Sequence, residues 1–295
     1  MSFMASASKN IFLSENSVVY SYLVNAETEL AGGTNPIHLP SIDFDTIQAT
    51  FGRKITSGIV ADIYEVKDCS PARVYKVIPR HSFVNGDEIV ITKIAGELNV
   101  APTFYSAFLV KQKINYVVIE MDDAGKSLEK WTEILAENQK THENTEKGRR
   151  FHEMVKKILS PYSNSATTEN SRADKVSIGQ AITMLYTNEE TFYYELFYKI
   201  KILAEKHIAY VDAHIGNILH NHSTNNDLHL IDFDAADLTP DTPTAAEKSI
   251  LGSSYNKAHF IRFKELSKSP ASKELIQWFV VQIKKTRLNH EPTLT

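Results

Sequence analysis

The chain has 295 residues, of which 42% are hydrophobic, 23% charged and 10% aromatic, with a formal net charge of -4. That is the composition of a globular protein long enough for one large domain or two lobes, and its charge gives no electrostatic reason to expect nucleic acid as a partner. No run approaches the ~20 apolar residues of a membrane span, and the lone Cys69 excludes an internal disulfide framework and fits a reducing compartment.

The first ten residues are Ser-rich and polar, without the basic start and long apolar stretch of a secretory signal. They read as a frayed terminus or as an address for a bacterial secretion system. The expected location is therefore cytoplasmic, with translocation into a host cell as the alternative. Residues 1–50 as a whole read as an N-terminal extension: Val18–Val24 leans towards strand, Ala31–Pro36 is a loop, and Phe44 to Phe51 could pack on the lobe that follows.

Residues 51–122 have the texture of short strands around one helix. Gly58–Val66 alternates, Asp68-Cys69-Ser70-Pro71 makes a turn, and Arg73–Ile78 is a second strand. Nothing near Cys69 would activate its thiol. From Asp87 to Asn99 the residues Ile91, Ile94, Ala95 and Leu98 recur at three-and-four spacing, which predicts a helix. Thr103–Val110 and Asn115–Met121 complete the set as strands.

From 123 the chain turns polar and helix-leaning, and the Thr/Asn/Ser/Glu-rich stretch within about 137–190 reads as a flexible insertion. Phe192, Leu196, Ile200, Leu203 and Ile208 mark an amphipathic helix leading to Asp212. Aromatics on it, Tyr193, Tyr194, Phe197 and Tyr198, read as packing residues. After the loop Thr239–Pro243, two helices are expected, roughly 245–267 and 271–287.

The most informative stretch follows the amphipathic helix: Tyr210-Val-Asp212-Ala-His214-Ile-Gly-Asn217, then Leu230-Ile-Asp232-Phe-Asp234. Phosphoryl transfer from ATP needs a carboxylate to orient an attacking hydroxyl and oxygen ligands to hold Mg²⁺ on the phosphates. These residue types occur here in that order, each flanked by apolar runs. The pattern resembles the catalytic and metal-binding loops of the protein-kinase-like superfamily. The resemblance implies an α+β, bilobal fold: a small antiparallel sheet lobe with one helix (51–122) and a mostly helical, shortened large lobe (123–295).

It also implies roles. Asp212 would be the base or orienter, Asn217 and Asp232 the Mg²⁺ ligands, and Lys76 the anchor for the ATP phosphates, paired with Glu88 or, less favoured, Glu97. The glycine loop is worn down: Gly58 alone keeps the backbone freedom to approach phosphate, and Thr56 and Ser57 could add hydroxyl donors. Ile119-Glu120-Met121-Asp122 stands where the lobe-connecting hinge belongs, so the backbone of Glu120 and Met121 would read the adenine edge.

Departures from the pattern narrow the family branch. Tyr210-Val211 replaces His-Arg, which argues against control through a phosphorylated activation loop, and Asp234 replaces the Gly of Asp-Phe-Gly. His214 stands where protein kinases carry Lys and resembles aminoglycoside, choline and lipid kinases; it would either contact the γ-phosphate or brace the loop. No Ala-Pro-Glu segment follows, and the residues after Asp232 are too few for a full peptide-docking subdomain, as in compact effector-type kinases. His220, His222 and His229 cluster nearby but lack the spacing of a zinc site.

The resulting expectation is an ATP- and Mg²⁺-dependent phosphotransferase, most simply an atypical Ser/Thr protein kinase. Two alternatives stand beside it: a small-molecule or lipid kinase, and a pseudokinase that binds a partner without turnover.

Overall fold

The computed structural model describes residues 14, 16–18, 27–30, 37–58, 60–82, 86–130, 189–221 and 227–290. It is a mixed α+β structure that divides into two compact units, Met1–Asp123 and Ala124–Thr295. The insertion expected at about 137–190 lies outside the described residues except for Glu189 and Glu190, which open a helix.

The first unit is built on one seven-stranded sheet. Its strands are β1 (Glu27–Leu30), β2 (Ile37–Asp43), β3 (Phe51–Ser57), β4 (Asp62–Val66), β5 (Arg73–Pro79), β6 (Phe104–Lys111) and β7 (Tyr116–Asp122), in the order β1-β2-β6-β7-β5-β4-β3. All neighbours are antiparallel except β2 and β6, which run parallel from Ser41↔Leu109 to Asp43↔Lys111. Residues 27–30 and 37–43 are thus strands of the sheet rather than part of a separate extension. Alternation along β5 divides the core. Val74 and Ile78 face one side, with Ile119, Met121 and Ile89 of helix α2 (Asp87–Glu97). Tyr75 and Val77 face the other, with Phe108, Val118 and Ile47 of the short helix α1 (Phe44–Ile47). Lys76 shares the α2 face with Val74. On α2 itself the buried stripe is Ile91 and Ala95 together with Glu88, Ile89 and Thr92; Ile94 and Leu98 are only half-buried.

The second unit is mainly helical. Helix α3 (Glu189–Glu205) buries Phe192, Leu196, Ile200 and Leu203, the stripe its spacing predicts. Burial of each such side chain contributes about 1.5–3 kcal/mol. Phe197 packs against Phe260, Phe263 and Phe279 at ring separations of 5.2, 5.4 and 5.9 Å. Of the other α3 aromatics, Tyr193 is buried, while Tyr198 is exposed and stacks with Tyr194.

Where two helices were expected beyond the Thr/Pro loop there are three: α4 (Thr242–Leu251), α5 (Ser254–Leu266) and α6 (Pro270–His290). The break falls at Gly252-Ser253 because Ser253 caps a new helix, its Oγ accepting from the N–H groups of Tyr255 and Asn256. Asp241 caps α4 in the same way through Thr244 N–H, with Pro243 in the first turn. Short strands complete the unit. β8 (Lys126–Ser127) pairs with β10 (Ile218–Asn221), β10 with β11 (Asp227–Leu230), and β9 (Ile208–Ala209) with β12 (Asp237–Leu238). No helix among the described residues is long and apolar enough to cross a membrane.

Candidate functional site

In the second unit the two conspicuous sequence segments meet. Asp212 follows β9, and a 3₁₀ turn at Ile215–Asn217 leads into β10. Asn217 is buried, and its Nδ2 donates to Oδ2 of Asp212 at 2.9 Å and to the Asp212 carbonyl at 3.2 Å. Its own carbonyl accepts from Ile231 N–H at 3.0 Å, which fixes the end of β11 and therefore Asp232. Asp232 has φ 62°, the left-handed region that a non-glycine residue occupies only at a cost. Asp68, two residues beyond β4, shares this left-handed conformation at φ 56°.

Tyr210 joins these two segments, a role that nothing in its sequence neighbourhood marks. Its ring is buried against Phe233, and its hydroxyl reaches the carbonyls of Ile231 at 2.8 Å and Asp212 at 3.2 Å. Burial, reinforced by the charges of Asp212, Asp232 and Asp234, pushes the phenol pKa well above its ordinary value. The hydroxyl therefore stays protonated and keeps donating.

His214 braces the loop. Its Nδ1 accepts from Gly216 N–H at 3.0 Å, so its proton sits on Nε2, which lies 3.6 Å from Asp212 Oδ2. That separation is an electrostatic contact, too long for a hydrogen bond. Gly216 gives the His214 ring room to make this contact: a Cβ there would stand 2.7 Å from the ring and 3.1 Å from Oε2 of Glu129.

In the first unit Lys76 Nζ donates to Oε1 of Glu88 at 2.7 Å, and the two side chains are 14% and 7% exposed. Glu97 pairs instead with Lys93 one turn away on the exposed side of α2. Around Lys76 the register sets an apolar surface: Ile63 and Ile119 lie directly across from it, and Met121 across from Val74. The β3–β4 connection carries Ser57 and Gly58, both exposed, and Gly58 N–H closes the turn on the Ala61 carbonyl at 2.7 Å. That N–H is committed to the turn rather than open to a phosphate.

The hinge expectation for Glu120 and Met121 is corrected. Both lie inside β7 with strands on either side: Glu120 opposite Tyr75 and Ser106, Met121 opposite Val74 and Phe104. Their backbone belongs to the sheet, and β7 continues through Asp122. The Glu120 side chain is fully buried on the face opposite Lys76. It accepts from Ser17 Oγ, from Ser106 Oγ at 2.9 Å, from Val18 N–H at 3.2 Å and from Arg73 Nη1 at 2.7 Å. It anchors Ser17 and Val18 onto the sheet.

A cavity of about 370 Å³ lined by Gly52, Arg53, Cys69, Arg73 and Asp123 contains none of the expected site residues. Burial raises the Cys69 thiol pKa, the opposite of an activated nucleophile. His220 and His229 sit on β10 and β11, His222 is outside the described residues, and no three His, Cys, Asp or Glu among the described residues are grouped to hold a metal.

No protein-family model and no curated protein matches the chain.

Proposed function

We propose that this protein is an ATP- and Mg²⁺-dependent phosphotransferase of the bilobal, protein-kinase-like type, transferring the γ-phosphate to a hydroxyl. The observation that carries the reading is the pairing of Asp212 with Asn217 at 2.9 Å beside a left-handed Asp232. The Asn217 side chain ties to both the carboxylate and the carbonyl of Asp212, and its carbonyl ties to Ile231 beside Asp232.

The donor set suits the ion. Mg²⁺ takes hard oxygen ligands and is usually held by one or two protein groups together with substrate phosphates, so a full protein cage is not required. With Asn217 Nδ2 committed to Asp212, the amide oxygen is its ligating atom, and Asp232 would supply the carboxylate. When bound, the ion neutralises charge on the phosphates. The protein's own residues supply the remainder. Lys76, held by Glu88, presents an ammonium to phosphate oxygens, and the apolar surface of Ile63, Val74 and Met121 suits an adenine face. The Asp212 carboxylate accepts a hydrogen bond from the attacking hydroxyl and takes its proton as the new oxygen–phosphorus bond forms and the bond from the γ-phosphorus to the β–γ bridging oxygen breaks, with ADP as the leaving group. Asn217 and the Nε2–H side of His214 hold that carboxylate in place.

A Ser or Thr of a protein is the first acceptor to test. A small-molecule or lipid alcohol is the second reading, favoured by the short link from Asp232 to α4 at Thr242, which leaves little chain to dock a peptide. The deciding experiment is transfer of labelled γ-phosphate from Mg·ATP into a lysate split by size, with Asp232→Ala as control. Wild-type-only label in the macromolecular fraction supports the protein acceptor, and label confined to small molecules or lipid supports the second reading. Equal label from wild type and Asp232→Ala would refute phosphotransfer at this site and favour a non-catalytic binding module.

A further inference from the structure

We propose that Asn256 of α5 is a positioning residue for Asp212, clamping the backbone on both sides of it so that the carboxylate is aimed before any substrate arrives. The proposal rests on the phosphotransfer reading of Asp212.

Asn256 is completely buried and makes three hydrogen bonds with its side chain. Oδ1 accepts from Ala213 N–H at 3.0 Å, and Nδ2 donates to the carbonyls of Tyr210 and Ser249, each at 2.7 Å. Tyr210 and Ala213 bracket the Val211-Asp212 pair, so one amide holds the chain at both ends of the segment that carries the carboxylate. This arrangement fixes which way the amide points, because a flipped amide would set N–H against N–H and oxygen against two carbonyls.

The rest of the turn is built for that contact. Ser253 caps α5 and sets the helix start so that Asn256 falls in its first turn. Gly252 lets the α4–α5 turn come close: a Cβ there would meet the Lys248 carbonyl at 2.5 Å and Val211 Cγ1 at 3.3 Å. Ser249, also fully buried, accepts Tyr210 N–H on its Oγ at 3.1 Å, and His259 Nε2 lies 3.1 Å from the Ala213 carbonyl. Backbone groups of Tyr210 and Ala213 are therefore met by side chains of α4 and α5, while the Asp212 carboxylate is left to Asn217. A site displaced by about 1 Å can lose on the order of 10²-fold in rate, which is the scale of effect such a clamp controls.

Asn256→Asp tests the assignment, since it keeps the volume and the Ala213 acceptor but removes both donors. The full chain is assayed for Mg·ATP hydrolysis, with water as acceptor, alongside nucleotide affinity and hydrogen exchange at the Ala213 amide. The expected result is a drop in kcat of roughly 10- to 100-fold, unchanged nucleotide affinity, and faster exchange at Ala213. Wild-type kcat, or a loss of affinity in step with kcat, would overturn the proposal. If Asn256→Asp does not fold, Ser249→Ala decides: a several-fold fall in kcat at constant affinity supports the clamp, and an unchanged kcat overturns it. Equal hydrolysis by wild type and Asp232→Ala identifies a different failure, that of the phosphotransfer reading itself, and the proposal falls with it.

Discussion

Asn217 donates the same side-chain nitrogen to both the carboxylate and the carbonyl of Asp212, at 2.9 and 3.2 Å. That double use makes Asn at this position different from Asp. In Asn217→Asp the donor is lost and two carboxylates face each other at hydrogen-bond distance, so one of them should hold a proton well above the ordinary carboxylate range. Turnover should fall by about 10²-fold, and its pH dependence should change shape from that of the wild type. A kcat–pH profile of wild type and variant checks this, and two parallel profiles would count against it.

The Lys76–Glu88 pair is nearly buried, with side chains 14% and 7% exposed. Removing one partner leaves an uncompensated ion, which costs about 3–5 kcal/mol, whereas replacing both with apolar side chains is often close to neutral. Lys76→Met should therefore destabilise the protein strongly, and Lys76→Met with Glu88→Leu should recover most of that loss. Nucleotide affinity should stay low in both, because phosphate anchoring needs the ammonium. Urea titrations and nucleotide titrations on the same samples separate the two effects; stability that recovers together with affinity would contradict the assignment.

Burial lowers the His259 pKa from its ordinary 6.5 to about 4, against the opposing effect of its hydrogen bond with the Ala213 carbonyl. The imidazole is packed beside the Tyr193 ring, 5.7 Å between centroids. Between pH 6.5 and 4 the unfolded chain binds a proton that the folded chain refuses, so stability falls as pH is lowered through this window. The loss approaches a limit on the order of 3 kcal/mol below the folded pKa. His259→Gln can still donate to Ala213 but does not titrate, so its stability should decline less over the same range. Unfolding curves at pH 7, 5.5 and 4.5 read the difference directly, and equal declines would show that His259 is not the group responsible.

The local parts of this architecture were readable because their signals lie close together in the chain. The helix stripe of α3 and the Asp212–Asn217 spacing each span only a few residues. Lys76 and Glu88 are twelve residues apart, and the helix that follows β5 brings them together. Residues that depend on distant partners were not readable. Asn256 lies 43 positions from Ala213, and nothing around it marks it as more than a helix residue. The strand β2 joins the sheet through a parallel pairing with β6, which period-two alternation within 37–43 cannot reveal. Glu120 is a similar case: the resemblance implies a hinge there, whereas its partner Ser17, 103 residues away, makes its burial in mid-strand tolerable.

That buried Glu120 gives the most direct test of the corrected first unit. Its carboxylate holds Ser17, Val18 and Arg73 together on the face of the sheet opposite Lys76, and Arg73 also donates to the Asn16 carbonyl and lies 3.6 Å from the centre of the Tyr105 ring. Glu120→Gln keeps the shape but leaves the Arg73 guanidinium, only 10% exposed, without its counter-ion. The expected loss is about 3 kcal/mol, with faster hydrogen exchange at the Val18 amide as Ser17 and Val18 lose their anchor. Nucleotide affinity should remain at the wild-type value, since the Lys76 side of the sheet is untouched. A variant that keeps its stability but loses nucleotide would reverse the assignment and return Glu120 to the binding surface.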